Sequence, residues 1–97
     1  MEKVSLESRA EALVEVMAPD FGRHEGHDVR MDAGEEGAIF VALRGARREL
    51  DVAEGLAERL ARRLSKELGD EEGLDFSVAL GTGINDAVIR VQLERRG

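Results

Sequence analysis

The sequence predicts an α+β domain in the order αββαββ. One three- or four-stranded mixed sheet carries both helices on one face. Two patterns predict it. Apolar residues recur at helical spacing over Leu6–Ala18 and again over Asp51–Leu68, and each such row is followed by two segments that alternate at period two. At 97 residues the chain is one domain, 1–97, with a single modest core.

The first helix presents Leu6, Ala10, Leu13, Val14 and Met17 on one side and Glu7, Ser8, Glu11 and Glu15 on the other. Ser5 is its expected N-cap, with Ser8 and Glu11 offering a second capping pair one turn later. Pro19 disfavours helical geometry at Ala18 and should stop the helix there. Asp20–His27, with two glycines and two histidines, is expected to be an irregular loop from which Phe21 folds back onto the core.

Asp28–Ala33 alternates, with Val29, Met31 and Ala33 on the inner side, and reads as a strand with one wet face. Gly34–Gly37 is the hairpin loop, its glycines placed where positive φ is expected. Ala38–Arg44 is apolar on both sides: Ile39, Val41 and Leu43 face in, Phe40 and Ala42 face out. That pattern predicts a central strand.

Gly45–Leu50 is a short basic connection. Asp51, with Glu54 at the reciprocal position, is expected to cap a second helix that ends at Gly69. Ala53, Ala57, Leu60, Leu64 and Leu68, joined by Val52 and Leu56, form its buried stripe, and Gly55 costs roughly 1 kcal/mol against Ala. After a turn at Asp70–Gly73, the last two strands are expected at Leu74–Leu80 and Val88–Leu93, joined by Gly81–Asp86. Arg95–Gly97 reads as a polar tail.

Composition removes several functions. There is no cysteine, hence no disulfide, thiolate metal site, cysteine-ligated cluster or cysteine nucleophile. Fourteen basic against 21 acidic residues give a net charge of −7, which disfavours nucleic acid and anionic membrane as partners. No apolar run is long enough for a membrane helix, and no signal-like segment opens the chain, so a cytoplasmic location is expected.

Three constellations remain. His24-x-x-His27, with Glu25 and Asp28, is the one metal-like cluster, set against the plainer reading of a polar loop. Arg59, Arg62, Arg63 and Lys66 form a basic stripe on the second helix. It is a docking surface for an acidic partner or RNA, or a solvated face laced by Glu58–Arg62 and Arg63–Glu67 pairs. Phe40 on the outer face of the central strand needs cover from Phe21, from the N-terminal residues, or from a partner. No catalytic set is legible. Ser5, Ser8, Ser65 and Ser77 read as caps or wet faces, and Gly81-Thr82-Gly83 lacks the lysine and helix of a phosphate loop.

Ala18-Pro19-Asp20-Phe21, Glu25-Gly26-His27-Asp28-Val29, Gly37–Ala46 and Ala53-Glu54-Gly55-Leu56-Ala57-Glu58 together resemble the NifU-like C-terminal domain family. Gly55 matches a glycine in that family's helix. The family's Cys-x-x-Cys is missing, for Gly45-Ala46 runs directly into Arg47-Arg48-Glu49-Leu50, so its cluster-carrying role transfers to no residue here. Leu50–Leu80 is similar, more weakly, to the alkaline-shock-protein family. Both resemblances imply the same small α+β fold, and with the cysteines absent no cofactor is expected.

The expectation is a non-enzymatic domain that binds a protein partner or forms a homodimer, through Phe40 with Arg59, Arg62, Arg63 and Lys66 as a charged rim. The alternatives are a metal-handling module using His24 and His27, and a small enzyme whose pocket is not readable from the sequence.

Overall fold

The computed structural model describes residues 5–69 and 73–96. The expected turn at Asp70–Gly73 therefore falls mostly outside the described residues, as do any cover of Phe40 by residues 1–4 and the last residue of the tail.

Helix α1 spans Leu6–Met17. The Ser5 hydroxyl accepts the Ser8 N–H at 3.1 Å, as expected of the N-cap. A 3-10 turn, Ala18–Asp20, holds Pro19 in its opening positions, where the missing N–H costs nothing. The expected loop then departs from expectation. Arg23–His24 (β1) pairs with the start of His27–Ala33 (β2), across a two-residue turn in which Glu25 and Gly26 have φ of 49° and 83°. Two consecutive positive φ values are what a tight hairpin with right-handed twist needs.

Ala38–Leu43 (β3) follows the turn at Glu35–Gly37. The two glycines of this turn differ. Gly37 has φ of +84°, and a Cβ there would sit 2.9 Å from the Leu6 Cβ, so it serves both the turn and the approach of α1. Gly34 has φ of −111°, which any residue adopts; its close neighbour is the Phe40 ring, which a Cβ there would approach to 2.7 Å. The left-handed position expected of Gly34 belongs to Glu36, with φ of 56°.

Helix α2 runs Leu50–Leu68. It begins one residue before the expected cap. The Glu49 carbonyl accepts the Ala53 N–H at 3.1 Å, which puts Asp51 in the first turn; the Glu49 side chain makes no cap bond. Leu74–Thr82 (β4) and Ala87–Arg95 (β5) form a long hairpin, each strand longer than the alternation alone marked out.

The sheet order is β1-β2-β3-β5-β4, and every neighbouring pair is antiparallel. The α+β class stands. Among the described residues the sheet has five strands rather than three or four, and it is antiparallel rather than mixed. The physical reason lies in β5. It inserts between β3 and β4, so these two run in the same direction without touching. Helix α2 carries the chain past the place of β5 to the far edge.

Both helices cover the face bearing Ile39, Val41, Leu43, Ile89, Val91 and Leu93, all buried. Ala10, Leu13 and Met17 of α1 and Ala53, Leu56, Leu60, Leu64 and Leu68 of α2 fill the other side of that core. Phe21 folds into it as expected. No helix among the described residues is long and apolar enough to cross a membrane.

Candidate partner-binding surfaces

The basic stripe divides into two pairs. Arg59 and Arg63 turn toward the link between α1 and β1. The Arg59 guanidinium lies over the Phe21 ring, 4.7 Å from its centroid. It also donates through Nη1 to His24 Nδ1 at 3.0 Å and through Nη2 to the Asp20 carbonyl at 3.4 Å. Arg63 donates to Asp20 at 2.7 Å and to Glu67 at 3.0 Å. These two carboxylates push the Arg63 guanidinium further above its ordinary range. Arg59 and Arg63 thus fasten α2 to the connection ahead of the sheet. Arg62 and Lys66 face solvent, Arg62 with Glu58 at 3.8 Å. Both helix pairs expected from spacing, Glu58–Arg62 and Arg63–Glu67, are formed.

His24 and His27 sit opposite one another across the β1–β2 hairpin. Their rings serve different neighbours. His24 accepts from Arg59 and lies against Gly55, where an added Cβ would be 3.5 Å from Nε2. His27 Nδ1 donates to the Arg44 carbonyl at 2.7 Å, and its Nε2 lies 2.9 Å from the Glu49 carboxylate. His27 therefore ties the hairpin to the chain entering α2. Among the described residues, no group of three His, Asp or Glu side chains is placed to hold a metal ion.

At that end of the sheet, an open cleft is lined by His27, Arg44, Arg47, Arg48, Asn85 and Asp86, among others. Its walls are tied together. The Gly45 N–H donates to Asp86 at 3.1 Å, and the Arg47 side chain donates to the Ile84 carbonyl at 3.1 Å. This cleft is not legible in the sequence, because its walls come from three turns distant in sequence.

Among the described residues, no helix covers the outer sheet face. Its centre is Phe40, 42% exposed, with half-buried Ala42 and Val88 beside it. Asp32 and Arg90 flank Phe40 on the neighbouring strands, and the Arg90 guanidinium lies 5.9 Å from the ring centroid. Phe21, the candidate cover, is on the other side of the sheet in the core. Phe40 and the arginines of α2 also lie on opposite sides of the sheet, so they do not form one continuous surface with an apolar centre and a basic rim. The charges that border Phe40 are those of the strands, Arg30, Asp32 and Arg90.

Comparison with family models, with curated proteins and with solved structures returned no match.

Proposed function

We propose that this chain is a non-catalytic protein-binding domain whose outer sheet face, centred on Phe40, docks a partner polypeptide. The observation that carries the reading is a phenylalanine 42% exposed at mid-sheet, on a face that no helix among the described residues covers. An apolar centre of Phe40, Ala42 and Val88 with charged residues around it has the anatomy of an interface: apolar area gives affinity, and the border gives register. Arg90 over the ring supplies a cation for an acidic group on the partner. The domain then acts as a cluster-free scaffold of the kind the NifU-like resemblance implies.

The test is affinity capture from the source cells, with wild-type protein, Phe40→Glu and Arg62→Ala run in parallel. The expected result is a partner held by wild type and by Arg62→Ala and lost with Phe40→Glu, while the far-ultraviolet circular dichroism of all three stays the same. A partner held equally by the folded Phe40→Glu protein would refute the reading.

A further inference from the structure

Strand β4 is nine residues long, and its pairing with β5 runs unbroken from Leu74 opposite Arg95 to Thr82 opposite Ala87. It is the edge of the sheet, and among the described residues no strand pairs with its other side. Long edges are normally blunted by lysine, proline or a bulge. Over residues 74–82 there is no lysine, no proline and no break in register, and Asp75 is the one charged residue.

The backbone polarity of this edge follows from its two ends. The Gly73 carbonyl accepts the Arg96 N–H, and the Gly83 N–H donates to the Asp86 carbonyl, both at 2.8 Å. Antiparallel bonding alternates, so residues 75, 77, 79 and 81 bond to β5, and residues 74, 76, 78, 80 and 82 turn their N–H and C=O groups to the open side. The Phe76 N–H fits this, for it donates at 2.9 Å to its neighbour Asp75 rather than to β5.

The side chains are also incompletely covered. Leu74, Phe76 and Val78 are half-buried, and Leu80 is 40% exposed, although all four point to the core side. Arg59 and Arg63 mark the flank of α2 that faces β1. The flank toward β4 carries the small, half-buried Ala57 and Ala61, with Leu50 exposed at its start.

We infer that β4 pairs with β4 of a second copy, antiparallel about a two-fold axis at Val78, to join the two sheets into one. This register is self-complementary. Val78 meets the partner's Val78, Phe76 meets the partner's Leu80, and Leu74 meets the partner's Thr82, each as a hydrogen-bonded pair made from outward-facing groups. On the outer face, Ser77 meets the partner's Ala79 and Asp75 meets the partner's Gly81, so no like charges oppose each other. Asp75 releases the Phe76 N–H and has Arg96, 3.8 Å away, as its alternative partner. The second copy is favoured over a foreign strand because one sequence satisfies both sides of the ladder. The surface is separate from the Phe40 face, and the inference does not depend on that reading.

The experiment is sedimentation equilibrium from micromolar to millimolar concentration, on wild type and two double variants. Ser77→Lys with Ala79→Lys sets like charges opposite each other at the close, non-hydrogen-bonded crossings. Dissociation should become easier by on the order of tenfold or more. Ser77→Lys with Ala79→Glu sets opposite charges at the same crossings and should restore the dimer. Wild type is expected at twice the 10.6 kDa chain mass. As a measure that needs no variant, amide exchange at residues 76, 78 and 80 in wild type should slow as protein concentration rises. A wild type of single-chain mass throughout overturns the inference, as does concentration-independent exchange at those amides. A dimer that survives the lysine pair but dissociates with Phe40→Glu overturns it too, and moves self-association to the outer face. Loss of partner capture with Phe40→Glu while the β4 dimer persists would support both readings independently.

Discussion

Leu60→Ala tests the core at the point where α2 presses on the sheet. Leu60 is fully buried, between Leu56 and Leu64 on the stripe that faces β4 and β5. The substitution removes roughly three buried carbon groups worth about 0.8 kcal/mol each. A residual void of about 40 Å³, at about 24 cal/mol per Å³, adds about 1 kcal/mol. The expected loss is thus about 3 kcal/mol, within the range of about 2–5 kcal/mol for such truncations. A domain of this size has about 5–15 kcal/mol of stability in all, so the variant should remain folded but melt about 12–24 °C lower. The chain has no Trp or Tyr, so the assay is urea denaturation followed by circular dichroism at 222 nm, with Arg62→Ala as the exposed control. A loss below about 1 kcal/mol at unchanged m-value would mean that α2 does not bury this residue, and the phase of the helix on the sheet would be wrong.

Gly37→Ala should cost about 1–3 kcal/mol in the same assay, because it places a side chain at φ of +84° and crowds the Leu6 and Leu93 Cβ atoms. Gly55→Ala should instead raise stability by about 0.5–1 kcal/mol, since the new methyl meets His24 at an ordinary contact distance and helix propensity improves. His27→Ala should lose about 1 kcal/mol, through the bonds to the Arg44 carbonyl and to Glu49, the latter half-exposed and discounted accordingly. The purified protein should be colourless and free of iron and sulfide by elemental analysis, because no cysteine is present to hold a cluster.

Periodicity made the interior legible. The inner rows of β3 and β5 and the buried stripe of α2 follow from alternation and from 3.6-residue spacing, since each side chain's direction is set locally. The hairpin at 23–28 is not legible because its turn puts Glu25 in the left-handed region, which glutamate seldom signals; Gly26 alone is the available cue. Strand order was illegible for a different reason. Nothing local to residues 74–95 says that β5, rather than β4, lies beside β3. In the fold β5 takes that place: Ile89 sits opposite Val41 and is fully buried, while Leu80 on β4 is 40% exposed. The fate of the basic stripe was equally hidden. Spacing puts Arg59 and Arg63 on one flank, but only the fold brings Asp20, Phe21 and His24 against that flank.

The two surfaces left open have a common origin in the width of the layers. A helix with its side chains is about 10–12 Å across and strands lie about 4.8 Å apart, so one helix covers about two strands. Helix α1 packs on β2 and β3, and α2 packs on β5 and β4. The cover therefore ends at the line of β4, where Leu80 emerges into solvent, and among the described residues no third layer covers the outer face. On that face the alternating charges around Phe40 keep the apolar area small, which suits a partner that comes and goes. Along β4 the apolar row is continuous, and the N–H and C=O groups of alternate residues turn to the open side. A second β4 laid against it brings its own α2 to the same line, so the half-buried row at the rim of one sheet becomes the middle of a wider one. The inferred pairing would therefore place a lasting contact at the edge and leave the Phe40 faces of both copies free.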